Sequence, residues 1–579
     1  QKARIREYDM RVGYFMEVQQ DFDKSPQRVE LLLPVRRWKL EPKPADVAKY
    51  LAGELVEPQK PIVFYIDPTT PEKWIPYLMQ GVNDWQKAFE AAGFKNAIYA
   101  RRAPSKEEDS TWSLEDARYS AIVYKPSPIE NASGPSVTDP RTGEILESHI
   151  NWFHNIMDIL HDWYFIQNSA IDPRARAMEL PDTLMGRLIR YVSSHEVGHT
   201  IGLMHNFGAS AAVPVDSLRS NQWITKNGIC PSIMDYARFN YVAQPGDNIS
   251  EDNFFPVIGD YDKWAIQWGY RWFPETTSDA EIKRTLHKWT VEKNKNPRFM
   301  YGAQGAVNDP RCQGEDLGDN VMKAGEYGIA NLKRVMDSLR QWTTGKEDTY
   351  ENMTKMYKEV TRQFTRYMFH AVRYVGARLF VPMTADQGID GFSFYPREKQ
   401  KAAIEFLHKQ VFETPSWLFT ERYFNYRGGS APFELMLLHR DILFTLLSEN
   451  NFGSLSKFES NQPTKAYSYN ELLSDLERGI WKELDKKQPV DIYRRNLQKI
   501  YIAELTSQLH VPTSNLEKYH PYAAMDMYSV IKMHVRDLSA KIKNVLPYYK
   551  AGSITRIHLE DISDRLKKAL DEQVSAGKN

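Results

Sequence analysis

The spacing of apolar residues changes character along the chain. Tyr8–Val18 and Arg28–Leu40 carry β-branched and aromatic residues and read as extended, and Pro42, Pro44 and Pro58 then mark a linker-like stretch. Pro61–Asp67 (PIVFYID) is a short apolar run that predicts a buried strand. Trp74, Leu78, Val82, Trp85 and Phe89 then recur at spacings of three and four, so an amphipathic helix is expected across Pro71–Ala92, closed by Gly93. Further strands are predicted at Ala97–Arg101, Tyr119–Tyr124 and Gly143–Trp152, and a helix over Asn151–Gln167. A stronger helix starts near Asp182, read as its N-cap, and continues through Leu184, Leu188, Tyr191 and Val192. Residues 205–256 are turn-rich, and Gly259–Phe273 predicts a short aromatic helix. From about 280 onward the pattern is almost wholly helical, with helices expected at 320–342, 348–374, 396–411, 432–448, 468–485, 490–509, 522–547 and 554–573.

Strands mixed with helices, followed by helices alone, predict an α+β fold with a large α-helical C-terminal region. A chain of 579 residues exceeds one hydrophobic core. The expected division is a β-rich segment over 1–58, a mixed domain over 59–275 and helical domains over 276–579. The chain opens on Gln1 within sequence that already reads as folded, so 1–58 is expected to be the tail of a larger upstream domain.

Lys+Arg and Asp+Glu both number 75, and this balance argues against nucleic acid as a partner. No apolar run reaches the ~18–20 residues that a membrane-spanning helix needs.

The chemistry concentrates in His195-Glu196-Val197-Gly198-His199-Thr200-Ile201-Gly202-Leu203-Met204-His205. On a helix, His195 and His199 stand at i and i+4, so both imidazoles face one way and can share a metal ion. Glu196 lies about 100° round from His195, beside the metal's open position rather than on the metal. Gly202 can take the left-handed conformation that ends a helix, which lets His205 return as a third ligand. Three histidines and a water make the open tetrahedral set of a catalytic zinc. With 14 His and 30 Gly in the chain, the pattern arises by chance in only about 1 in 10,000 such chains.

Cys230-Pro231-Ser232-Ile233-Met234-Asp235-Tyr236 lies further along. The zinc motif followed by a methionine-bearing turn is the metzincin signature, with Met234 expected beneath the metal as an apolar base. Tyr236 matches the tyrosine found near the metal in astacin-like and serralysin-like members, where it would serve as a weak ligand or as a donor to the reacting oxyanion. Together with Tyr8–Phe15 (YDMRVGYF), Gly134–Ile145 (GPSVTDPRTGEI), Asp309–Asp319 (DPRCQGEDLGD) and Gly259–Tyr270, these stretches make the chain resemble the bacterial Met-zincin family of zinc-dependent metalloproteases.

That resemblance implies a metzincin-like catalytic domain, in which a twisted mixed sheet lies beside the zinc-motif helix, and one catalytic Zn2+. It implies a metalloendopeptidase in which zinc activates a water and Glu196 acts as general base and acid. It also implies export to the periplasm or surface of a bacterium. In such a fold Gly143–Trp152 should be the edge strand, and Gly143, Glu144, Ile145, Leu146 and Glu147 would pair with a peptide or protein substrate in extended form.

Other features have plainer readings. His149, His154 and His161 lack ligand spacing and belong to core or surface. Asp309, Glu315, Asp316 and Asp319 offer oxygens for Ca2+ but do not match an EF-hand, and an acidic helix N-terminus leading into 320–342 explains them as well. Cys230 and Cys312 could form a single disulfide or remain free thiols. Two rival functions stand beside the peptidase: a catalytically silent, metal-containing binding or scaffold protein, and a zinc hydrolase of a non-peptide amide. Intact catalytic positions speak against the first, and the methionine turn against the second.

Overall fold

The computed structural model describes residues 3–305, 309–509 and 526–576. The chain forms two compact units. The first takes in Gln1–Ala306, Arg311–Thr343 and Val381–Gly391, and so runs past both expected limits, 58 and 275. The second comprises Val307–Pro310, Thr344–Phe380 and Phe392–Asn579.

The first unit is α+β. Its N-terminal segment makes only one short antiparallel pair, β1 (Gln19–Asp21) with β2 (Glu30–Leu32), and otherwise joins the unit through isolated bridges. Helix α1 (Val47–Leu51) leads into the main sheet, built from β3 (Ile62–Ile66), β4 (Ile98–Arg102), β5 (Ser120–Lys125), β6 (Ala132–Ser133) and β8 (Glu144–Phe153) in the order β4-β3-β5-β8-β6. Strand β7 (Ser136–Asp139) also pairs with β8. Strands β4, β3, β5 and β8 run parallel, and β6 and β7 run antiparallel to β8. The expected helix over Pro71–Ala92 is two helices, α2 (Ile75–Asn83) and α3 (Gln86–Ala91). The indole of Trp85, at the break between them, donates to the Ser194 carbonyl at 2.8 Å. Helix α4 (Ile156–Asn168) begins later than its apolar pattern suggested, because β8 continues through Phe153.

Helix α5 (Asp182–Thr200) carries the histidine motif, and Asp182 is its first residue rather than its cap. It is buried along most of its length and leans on α2, where the Ser193 hydroxyl donates to the Leu78 carbonyl at 3.0 Å. Beyond it lie α6 (Asn221–Asn227), the expected aromatic helix α7 (Asp260–Tyr270), α8 (Asp279–Lys293) and α9 (Val321–Thr343). Helix α8 falls in the stretch expected to be helical but was not among the individual ranges given, although Ser278 and Glu281 form a capping box at its start.

The second unit is a helical assembly with one antiparallel hairpin, Arg378–Phe380 with Phe392–Phe394, that the sequence pattern did not announce. Its longer helices include Glu351–Val372, Ala431–Leu446, Tyr469–Ile480, Ile492–Leu509 and Met527–Val545. The start of the expected 522–547 helix falls outside the described residues. A buried ion pair, Arg494 with Glu483 at 2.7 Å, sits inside this unit, and the same guanidinium donates to the Gly479 and Ile480 carbonyls at 2.7 Å. Among the described residues no helix is long and apolar enough to cross a membrane.

Candidate metal centre

Helix α5 ends in a defined way. Gly202 has φ of +97°, its N–H donates to the His199 carbonyl at 3.0 Å, and the Leu203 N–H donates to the Gly198 carbonyl at 3.0 Å. This is a Schellman motif, which satisfies helix-end carbonyls and reverses the chain. Three further donors fix the same end: the Trp38 indole to Thr200 at 2.9 Å, the Tyr270 hydroxyl to Ile201 at 2.8 Å, and the Phe15 N–H to Gly202 at 2.8 Å. The reversed segment then bridges to the N-terminal segment, where the Met204 N–H donates to the Gly13 carbonyl at 2.8 Å, and this brings His205 back over the helix.

The three rings converge. Nε2 of His205 lies 3.3 Å from Nε2 of His195 and 3.2 Å from Nε2 of His199. Each ring's other nitrogen faces an oxygen: His195 Nδ1 the Ile233 carbonyl, His199 Nδ1 the Leu203 carbonyl, and His205 Nδ1 the Gln304 side-chain oxygen, all at 2.8 Å. An oxygen acceptor requires a proton on Nδ1, so Nε2 carries the lone pair, and all three lone pairs point into one space. Burial, then the neighbouring rings, pushes His195 well below its ordinary value, and burial pushes His199 down to about 4 and lowers His205. The imidazoles are therefore neutral at physiological pH, the form that binds a metal. Among the described residues this is the one group of three ligating side chains with atoms so close together. The residues fit a three-histidine zinc site.

The methionine turn supports the rings from below. Met234 is fully buried, and a Cβ built on Gly198 would lie 2.2 Å from its sulfur, so only glycine lets the thioether reach the helix. Asp262, inside α7, anchors the turn. It accepts from the Ser232 hydroxyl at 2.6 Å, the Ile233 N–H at 2.8 Å and the Gly259 N–H at 2.8 Å. Burial pushes this carboxyl up to about 7 against those three bonds. Because the Ile233 carbonyl orients His195, Asp262 positions a ring it never touches. Asp262→Ala leaves three buried donors without an acceptor and should cost on the order of 3–5 kcal/mol in chemical denaturation, whereas Asp262→Asn, which keeps an acceptor, should cost about 1 kcal/mol. Equal losses in the two variants would refute this role.

Glu196 lines an open cleft of about 700 Å³ together with Phe15, Ser133, Gly134, His199, His205 and Tyr236. Burial pushes its carboxyl up to about 7, opposed by a hydrogen bond from the Gly134 backbone. The Tyr236 ring lies 4.5 Å from that of His205 and 5.4 Å from that of His195. Burial raises its phenol, so it keeps its proton as a donor, and the Arg238 guanidinium stacks 4.4 Å from its centre.

One expectation is overturned. Strand β8 is not an edge: along Gly143–Glu147 it pairs with β7 on one side, and on the other Arg37 takes up Gly143 and Ile145 at 3.0 and 2.9 Å. The pairing groups of Gly143, Glu144, Ile145, Leu146 and Glu147 are thus largely engaged within the protein. The edge beside the histidines is β6, which pairs only with β8 among the described strands and whose flanking residues line the cleft.

The remaining candidates have local explanations. His149 and His161 bond to the Tyr119 and Ala177 carbonyls, and His154 to the Tyr124 hydroxyl at 2.5 Å. Of the four acids, Asp319 accepts from the Val215 N–H at 2.9 Å and Asp309 from the Phe380 N–H at 2.9 Å, and none belongs to a ligand cluster among the described residues. Nor is there an acidic residue in the first turn of α9. Cys230 and Cys312 are not joined by a disulfide.

Sequence reasoning missed Gln304, Asp262 and the 131–135 edge. Asp262 was within reach, since an acid three residues after the Gly259 cap is half of a capping box. Gln304 carries no such signal, because it meets His205 only through the tertiary fold.

A helix-borne pair of histidines, a third returned by a glycine turn and a methionine floor form a candidate metal site of the metzincin class. Residues 177–488, more than half of the chain, match the Met-zincin family, and the chain belongs to it. Residues 1–43 match a domain of unknown function (DUF5117). No curated protein and no solved structure matches the chain. Membership supports a zinc metallopeptidase in general.

Proposed function

We propose that this protein is a zinc-dependent endopeptidase. The observation that carries the reading is the convergence of three neutral Nε2 atoms at 3.2–3.3 Å in a cleft that Glu196 also lines. His195, His199 and His205 would hold the ion. Zinc bound there supplies the Lewis acid that polarises a scissile carbonyl and makes a water acidic enough to attack it. The Glu196 carboxylate accepts the proton of the attacking water and returns it to the leaving amine. The Tyr236 hydroxyl, protonated and beside the rings, donates to the developing oxyanion.

An extended substrate would add to the sheet along Ala132–Ser133, the outer strand of the described sheet, rather than along β8. This orientation lays the peptide across the mouth of the cleft and suits cleavage within a chain.

Chelation with 1,10-phenanthroline should abolish cleavage of a mixed peptide library, and one equivalent of Zn2+ should restore it, with products read by mass spectrometry. A zinc-replete protein that leaves the library intact would favour the silent scaffold, and one that hydrolyses only small non-peptide amides would favour the other rival.

A further inference from the structure

Away from the metal centre, the first unit holds a cavity of about 360 Å³ lined by five cationic side chains and three carboxylates, Glu41, Glu275 and Asp279. Arg4, Arg6, Arg37, Lys39 and Arg271 all line it. Two of the positive charges have carboxylate partners at the rim: Arg4 with Asp279 at 2.8 Å and Lys39 with Glu41 at 3.4 Å. The three others have no ion pair with any described carboxylate.

Arg6 is the most telling of these. It is only 5% exposed, yet its Nη1 has no hydrogen-bond partner. Its other terminal nitrogen donates to the Arg271 carbonyl at 2.9 Å, and the guanidinium carbon stands 5.4 Å from the Phe273 ring. Arg37 reaches the same cavity and donates to the Arg4 carbonyl at 2.6 Å. Carbonyls and an aromatic face orient these guanidiniums but do not neutralise them. Two guanidiniums that act on each other as like charges repel, and an anion bound between them would relieve that repulsion. Burial, then the charge of Arg37, pushes Arg6 down to about 9, and burial lowers Arg37 as well. Glu144 and Glu41 act on Arg37 in the opposite direction.

We propose that this cavity binds a small oxyanion, a phosphate or carboxylate group, gripped by the Arg6 and Arg37 guanidiniums with Arg271 and Phe273 closing the wall. A planar guanidinium presents paired N–H donors that match two oxygens of either group. The site stands apart from the peptidase reading and does not depend on it.

The test is a thermal-melting titration of the zinc-loaded protein with inorganic phosphate and, in parallel, with acetate, each against sodium chloride of equal ionic strength. A saturable rise of a few degrees is expected for at least one of the two, and the one that saturates at lower concentration identifies the group. Arg6→Gln should lose the rise. Arg4→Glu, at the partly exposed rim, should shift half-saturation upward by about tenfold. Phosphate acting at the metal centre would leave Arg4→Glu unchanged. That result, or the lack of any saturable rise beyond chloride, would overturn the proposal.

Discussion

Glu196→Gln should lower kcat for peptide hydrolysis by about a thousandfold or more while leaving one equivalent of zinc bound. The glutamine is nearly isosteric and leaves the three imidazoles and their carbonyl partners untouched, but it cannot accept a proton. The same variant carries a second, opposite expectation. Burial places the folded Glu196 carboxyl at about 7, above its ordinary 4.5. A raised carboxyl stabilises the fold only while protonated, so in metal-free protein its contribution is full below pH 4.5 and is lost as pH rises through about 7. Removing it should make chelator-treated Glu196→Gln more stable than wild type at pH 8, by on the order of 2–3 kcal/mol, with little difference at pH 4. Loss of activity with gain of stability is what a carboxylate kept for chemistry rather than for folding would show. Full activity in the variant would remove Glu196 from its role, and a drop in stability at pH 8 would mean that neighbouring groups compensate its buried charge.

How far the chain could be read in advance depended on the range of the forces involved. The histidine motif, the glycine turn and the methionine turn were legible because their geometry is local: His195 and His199 are one helical turn apart, and His205 follows from a left-handed residue three positions before it. The strand at Ile62–Ile66 and the aromatic helix Asp260–Tyr270 were legible for the same reason, each carrying its own period. Strand neighbours were not. Alternation along Glu144–Phe153 announces a strand but says nothing of what lies beside it, and the competition between Arg37, β7 and an outside peptide is settled in part by a segment more than a hundred residues away. The true edge at Ala132–Ser133 is two residues long, too short for a period. The N-terminal segment likewise looked like regular strands, because aromatic and β-branched residues favour extended backbone, yet it mostly makes single bridges, some within itself and some to other parts of the first unit.

Gly202→Ala should be the most damaging single-methyl change near the centre. At φ of +97° an alanine is strained in any surroundings, by about 1–2 kcal/mol. Here the added carbon would also lie 2.0 Å from the Arg36 carbonyl oxygen and 3.1 Å from the Tyr14 ring. The oxygen is backbone, held because the Arg36 N–H donates to Phe15 at 2.7 Å, so it cannot swing aside as a flexible side chain would. Relief must come from the reversal itself, which moves His205 away from the other two rings. The expected loss is on the order of 4 kcal/mol of stability, with zinc content well below one equivalent and cleavage reduced in proportion. Gly246→Ala separates the two causes: its φ is +94°, but nothing lies within 4 Å of the new carbon, so only the backbone strain is felt and zinc should stay bound. If the two variants unfold alike and both retain zinc, the close approach of Arg36 to the turn does not hold the third ligand in place.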